Sequence, residues 1–84
     1  RQEKLSLSML DEFLENTKTL SPAERLVFDL YVKGHTAKES AEILCLSINT
    51  IKTHNKRIYT KLNVTSREEL LLYISMLKEI GTEI

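Results

Sequence analysis

The segment from Cys45 to Asn63, CLSINTIKTHNKRIYTKLN, combines cationic, amide and hydroxyl side chains and contains no carboxylate. Five of these polar residues recur three or four positions apart, so on a helix they share one face: Asn49, Lys52, Thr53, Lys56 and Thr60. Arg57 and Lys61 flank that face. Ammonium and amide groups can donate hydrogen bonds to base-edge acceptors such as guanine O6 and N7, and the major groove of B-DNA admits an α-helix. The pattern therefore predicts a helix suited to double-stranded DNA.

Charge is distributed unevenly along the 84 residues, although the formal net charge is zero. The stretch from Ile43 to Arg67 holds five basic residues and no acidic one, whereas the remainder holds seven basic and twelve acidic residues. A solvated face is the ordinary explanation of such a run. Lys52 and Lys56, however, have no acidic residue three or four positions away on either side. For these two lysines the sequence favours a contact with DNA.

Enzymatic chemistry finds no support in the sequence. It contains no glycine-rich phosphate loop, no HExxH motif and no paired cysteines. His35 and His54 belong to separate predicted elements with no evident nucleophile between them. We therefore expect no catalytic residue, no metal site and no cofactor.

The setting of the chain is also constrained by composition. The single cysteine excludes an intrachain disulfide, which favours a reducing, cytoplasmic location. The lack of a long apolar run predicts no membrane contact in this segment. Because the chain begins at Arg1, we expect a piece of a longer protein.

Capping signals predict the helices that must position the polar face. Ser21–Glu24, Thr36–Glu39 and Ser66–Glu69 match capping boxes, and Ser47 matches a simpler N-cap. Gly34 and Asn63 suit helix ends. The predicted helices are residues 22–33, 37–44, 48–62 and 67–79, preceded by a weaker helix at 8–17 with Ser8 as its cap. The predicted class is all-α, with a leading helix and linker at 1–18 and the main domain at 19–84.

A tight turn joins the second and third of the four main helices, which predicts a helix-turn-helix at about residues 36–62. Ala41 is the small residue expected where these two helices cross, and Cys45 is expected to be a small buried side chain in the turn. Helical spacing predicts further core positions: Ala23, Leu26, Val27, Leu30, Tyr31, Ala37, Leu44, Ile51, Ile58 and Leu62.

The last predicted helix is apolar on almost every side, more than a surface helix of a small monomer needs. An exposed apolar patch commonly marks an interface. We expect a two-fold dimer formed through Leu71, Leu72 and Met76. The alternative is that the leading helix covers this surface through Leu10, Phe13 and Leu14.

Several motifs taken together resemble a known family: LSPAER at 20–25, Gly34, Lys38-Glu39, Leu46-Ser47, TIKTH at 50–54, KLNV at 61–64 and Ser66-Arg67. With their spacing, they are similar to the LuxR-type (GerE, NarL and FixJ-like) DNA-binding domain over about residues 19–77. The resemblance implies a four-helix output domain of a bacterial transcriptional regulator, including response regulators. It further implies a third helix that reads the major groove and a last helix that forms the dimer contact.

The resemblance also implies roles for individual residues. Lys52, Thr53 and Lys56 match positions that face bases, whereas Thr50, His54 and Arg57 match positions near the phosphate backbone. With the polar face, the predicted DNA-binding set is Asn49, Thr50, Lys52, Thr53, His54, Lys56, Arg57 and Lys61. The sequence departs from the family pattern at Ser40, where a bulky aliphatic is usual, at Ile48, where a polar residue is common, and at Asn63, where glycine is common.

Two other functions remain open from sequence. One is a promoter-reading domain resembling region 4 of a sigma factor, which shares the helix-turn-helix. The other is a protein-interaction module that has lost DNA binding, which the overall neutrality supports because many DNA-binding domains are basic. In the favoured interpretation, a sensory or receiver domain lies elsewhere in the full-length protein.

Overall fold

The computed structural model describes residues 6–82 and residue 84, and within them all regular structure is α-helical. Five helices follow one another: α1 (Leu7–Thr17), α2 (Pro22–Val32), α3 (Ala37–Leu44), α4 (Ile48–Leu62) and α5 (Arg67–Glu79). The predicted all-α class is confirmed, and each predicted helix is present to within one residue at either end. None of the helices among the described residues is both long and apolar enough to cross a membrane.

Side-chain caps define where the helices begin. In both α2 and α3 the capping box is complete: the Ser21 hydroxyl accepts from the Glu24 N–H, and the Thr36 hydroxyl accepts from the Glu39 N–H, each glutamate returning the bond. The cap of α1 is Ser6, whose hydroxyl accepts from the Met9 N–H at 3.2 Å, so the prediction of Ser8 was wrong.

The start of α5 differs from the predicted capping box. Ser66 accepts from the Glu69 N–H at 3.1 Å as expected. The Glu69 carboxylate, however, accepts from the backbone N–H of Thr65 at 2.7 Å, one residue before the cap. The bond returned by the glutamate is therefore displaced by one residue, and the Thr65 hydroxyl also donates to that carboxylate at 3.1 Å.

Helices α3 and α4 each end at a residue whose backbone adopts the left-handed conformation. Cys45 and Asn63 have φ of 57° and 58°, and in each case the following N–H closes a Schellman bond, from Leu46 to the Ala41 carbonyl and from Val64 to the Tyr59 carbonyl. Asn63 confirms its predicted role. Cys45 is exposed, so its predicted burial was wrong: it occupies the turning point of the chain, outside the α3–α4 contact.

All five helices contribute buried side chains to one core, and most of these come from α2, α4 and α5. On α2 the inward stripe consists of Glu24, Val27, Phe28 and Tyr31, whereas Ala23 and Leu26 are exposed. The prediction was right for Val27 and Tyr31 and wrong for Ala23 and Leu26. The error arose because the spacing of apolar residues could not predict that a charged residue, Glu24, would lie in the inward stripe.

Two small residues of α3 are buried. Ala41, predicted at the α3–α4 crossing, is buried, and Ser40 is completely buried beside it. The Ser40 hydroxyl donates to the Thr36 carbonyl at 2.9 Å, so this polar group carries its own hydrogen bond into the core. The departure at Ser40 is thus accommodated within α3 itself.

The leading helix packs on the same core as the rest of the chain. Leu10 and Phe13 are buried, and the Phe13 ring stacks on Tyr73 of α5 with 4.5 Å between ring centroids. Phe13 also meets Phe28 of α2 at 6.3 Å in a tilted arrangement. One side of α5 is therefore covered by α1. The division of the chain at residues 18 and 19 stays a prediction.

Candidate nucleic-acid interface

α4 is anchored by three buried aliphatic side chains, Ile51, Ile58 and Leu62. The opposite side of the helix, which we call the polar ridge, is exposed along its whole length: Asn49, Lys52, Thr53, Lys56 and Thr60. Arg57, beside it, is exposed as well. The amphipathic division predicted from spacing is therefore the division found in the structure, and the ridge is accessible to a large partner.

The cations on and beside the polar ridge form no ion pair with any residue that the structure describes. The side-chain ion pairs of the described residues join Lys18 to Glu15, Arg25 to Asp29, His35 to Glu39 and Lys61 to Glu24. Lys52, Lys56 and Arg57 take part in none of them. Their charged groups are therefore exposed to solvent, where they can contact phosphates and guanine acceptors.

The threonines of the ridge have their hydroxyl hydrogens engaged. Thr53 Oγ1 donates to the Asn49 carbonyl at 3.1 Å, and Thr60 Oγ1 donates to the Lys56 carbonyl at 2.9 Å. Each threonine thus presents a methyl group and oxygen lone pairs, and no free donor. The Thr53 methyl group is of the kind that can contact the C5-methyl group of thymine in the major groove.

The first turn of α4 offers backbone donors. The Ser47 hydroxyl accepts from the Thr50 N–H at 3.1 Å and lies 3.0 Å from the Thr50 hydroxyl, and the Ser47 carbonyl accepts from Ile51. Ile48 and Asn49 are the first two residues of the helix, where backbone N–H groups have no carbonyl partner within the helix itself. With the positive end of the helix dipole, they suit a phosphate.

His54 is half-buried between the ridge and the core side of α4. Its Nδ1 is buried and has no hydrogen-bond partner among the residues that the structure describes. The ring therefore has only its Nε2 edge to present to a phosphate. The prediction of a phosphate contact at His54 remains untested by this geometry.

Asn55 was not among the predicted site residues, although it joins α4 to the rest of the core. Its Oδ1 accepts a short hydrogen bond from the Tyr31 hydroxyl, which ties α4 to α2. Burial raises the pKa of Tyr31 above its ordinary value of 10.0, which keeps this donor protonated. The Arg67 guanidinium lies 5.1 Å from the Tyr31 ring centroid. Nothing in the spacing of these residues signals that they meet.

Lys61 occupies a different environment from the other lysines of α4. Its Nζ lies 2.7 Å from Glu24 Oε1 and also donates to the Thr19 carbonyl at 3.2 Å. The Lys61 hydrogen bond and the Ser21 N–H together lower the pKa of Glu24 below its ordinary value of 4.5. Lys61 therefore joins the C-terminal end of α4 to the N-terminal end of α2, and its contact with DNA stays a prediction.

On α5, the predicted dimer residues differ in accessibility. Leu72 is 40% exposed, whereas Leu71 and Met76 are half-buried against the core. The leading helix covers the Tyr73 side of α5 and leaves Leu72 exposed. The predicted patch is therefore smaller than the composition of α5 alone indicated.

Comparison with known proteins decides the family. A protein-family model, described as bacterial regulatory proteins, luxR family (GerE), matches residues 18–74 of the chain. These residues include α2, α3, α4 and the first half of α5. The chain belongs to the luxR family of bacterial regulatory proteins. The resemblance seen in the motifs is thereby confirmed. This luxR-family chain carries a helix-turn-helix, DNA-binding output domain of a transcription regulator, and the family is not one of enzymes.

Curated relatives agree with this membership. The chain is 36% identical over 81 residues to the oxygen regulatory protein NreC of Staphylococcus aureus strain JH9, and equally to that of strain USA300. The match takes in 83% of this chain and 37% of the relative. The luxR-family chain thus spans little more than a third of the length of these relatives. Family membership also decides against the sigma-factor alternative.

Proposed function

We propose that this luxR-family domain binds a specific DNA sequence by placing α4 in the major groove. The observation that carries the proposal is the position of Lys52 and Lys56: both are exposed on one continuous face, and neither forms an ion pair within the described part of the chain. Ile51 and Ile58 hold the opposite face in the core. A helix anchored in this way presents its ridge without rearrangement.

The ridge supplies distinct kinds of base contact. Lys52 and Lys56 would donate to guanine O6 and N7, the commonest acceptors for lysine in the groove. Asn49 has an amide able to pair with adenine N6 and N7, and the Thr53 methyl group suits thymine. These four residues would set sequence preference.

Phosphate contacts would fix the orientation of the helix. Thr50, His54 and Arg57 are proposed to meet the DNA backbone, together with the first N–H groups of α4. Lys61 is proposed to approach a phosphate only at the margin, because Glu24 already holds its ammonium group. Such contacts position the domain and carry no sequence information directly.

A dimer would place two reading helices on one face of the duplex. Leu72, with the partly covered Leu71 and Met76, is the proposed contact around a two-fold axis. Two copies of α4 would then read half-sites about one helical turn apart, roughly 34–36 Å.

The relatives are almost three times as long as this chain, which is consistent with a sensory or receiver domain elsewhere in the protein. We propose that the whole regulator acts in the cytoplasm.

The competing proposal is an interaction module without DNA binding, favoured by the zero net charge of the chain. Selection of bound sequences from a random DNA pool separates the two proposals. We expect a preferred sequence, and affinity for it should fall with salt at a slope of about −0.9 per phosphate contacted. A pool without enrichment, or an affinity independent of salt, would contradict DNA binding.

A further inference from the structure

Ile48 is the first residue of α4, and its aliphatic side chain is 41% exposed. It stands four residues before Lys52, which places the two side chains next to each other on the helix surface. Ile48 therefore lies one residue before Asn49, the first residue of the polar ridge. It adds an exposed aliphatic side chain at the N-terminal end of the ridge, next to the turn of the helix-turn-helix.

In the major groove, base edges offer one apolar group, the C5-methyl of thymine. The N-terminal residues of a recognition helix are the ones that approach base edges in helix-turn-helix complexes. We propose that Ile48 reads the 5-methyl group of a pyrimidine, thymine in unmodified DNA, next to the base pair contacted by Lys52. This inference rests on the proposed function.

The surroundings of Ile48 agree with such a role. Its backbone is held by the Ser47 cap, whose carbonyl and hydroxyl bind the N–H groups of Ile51 and Thr50. No carboxylate occurs between residues 43 and 67 of the sequence, so α4 itself carries no acidic side chain. Ile48 is thus presented on a capped backbone, one helical turn from the cationic Lys52.

Thr53 and Thr60 also present methyl groups on the ridge. Thr53 is nearer to Ile48 along the helix, so its contribution must be separated from that of Ile48 experimentally. Thr53→Ser removes that methyl group and keeps the hydroxyl that donates to the Asn49 carbonyl. Ile43, on α3, is 51% exposed and lies off the ridge, so Ile43→Ala is a matched control for the loss of exposed aliphatic surface.

The experiment uses the DNA sequence selected by the wild-type chain. Each thymine is replaced singly by deoxyuridine, which removes only the C5-methyl group, and Kd is measured for the wild type, Ile48→Ala, Thr53→Ser and Ile43→Ala. We expect one thymine whose replacement weakens the wild type by about fourfold, the worth of one buried methyl group. That loss should vanish in Ile48→Ala and persist in Thr53→Ser and Ile43→Ala.

Placing 5-methylcytosine or cytosine at that position, with guanine opposite, distinguishes the methyl group from the rest of the base. If the methyl group is what Ile48 reads, the methylated cytosine should bind more tightly than cytosine to the wild type and equally to Ile48→Ala. A deoxyuridine penalty that is the same in the wild type and in Ile48→Ala at every thymine would overturn the inference. A random pool without any enriched sequence would instead overturn the proposed function. Circular dichroism confirms that each variant is folded.

Discussion

Lys61 Nζ lies 2.7 Å from Glu24 Oε1, and this ion pair joins the end of α4 to the start of α2. The Glu24 side chain is only 3% exposed, whereas that of Lys61 is 36% exposed. Glu24 Oε1 also accepts from the Ser21 N–H, so one carboxylate both caps α2 and holds α4. The orientation of the polar ridge therefore depends on a residue outside it.

Replacing Lys61 by Ala should destabilise the domain by about 1–3 kcal/mol, because a buried carboxylate would lose its charged partner. The lower part of that range is expected, since solvent reaches Lys61 and screens the pair. Urea unfolding measures the change. Lys33→Ala, at an exposed position, is the matched control and should shift the free energy of unfolding by less than about 0.5 kcal/mol. Equal effects of the two substitutions would contradict the structural role of Lys61.

Acid should weaken the fold through the same carboxylate. The pKa of Glu24 is lowered in the folded state, chiefly by the Lys61 hydrogen bond, so its contribution to stability is complete above its unfolded pKa. That contribution is lost as pH falls from about 4.5 through the folded pKa. Unfolding measured between pH 7 and pH 3 should show a smaller acid-induced loss in Glu24→Gln than in the wild type. Parallel curves would show that Glu24 does not titrate with folding.

Removal of one ridge lysine should affect specific DNA binding most. We expect Lys52→Ala or Lys56→Ala to weaken the selected site by about 1–3 kcal/mol and to relax base choice at one position. Lys33→Ala removes the same charge away from α4 and should leave the base preference unchanged. Binding is measured on the selected sequence and on random DNA. Equal losses on both would make these lysines phosphate contacts.

Enlarging the residue at the α3–α4 crossing should disturb the helix-turn-helix. Ala41 is buried and is the small residue expected at this crossing, so Ala41→Leu should cost about 1–3 kcal/mol by overpacking. Ala23→Leu makes the same change at an exposed position of α2 and should have little effect. Thermal unfolding of both variants provides the comparison. An unchanged melting temperature in Ala41→Leu would mean that the crossing has free space.

A charge on the exposed part of α5 should prevent the proposed dimer. Leu72→Glu should reduce self-association on a DNA fragment that carries two half-sites and leave binding to a single half-site unchanged. Leu26→Glu, at a position 55% exposed on α2, is the control for adding a carboxylate to the surface. Analytical ultracentrifugation with each DNA fragment measures the stoichiometry. Cooperative binding by Leu72→Glu equal to that of the wild type would place the dimer contact elsewhere.

The sequence by itself determined the helices and the division of α4 into two faces. Caps such as Ser21 and Ser47 act on backbone groups within four residues, so their effect can be predicted from local order. The same holds for the ridge, because residues three and four positions apart must share a helix face. The motifs that resemble the luxR family are likewise short stretches that can be read in the sequence alone.

Only the tertiary structure decided which long-range pairs form. Glu24 turns inward because Lys61, 37 residues later in the chain, meets it there, and Asn55 is oriented by Tyr31 across the α2–α4 contact. Leu26 is exposed and Phe28 buried because the packing of three helices selects which part of an apolar stripe faces the core. Such choices depend on how helices are arranged in space, which the spacing within one helix does not specify.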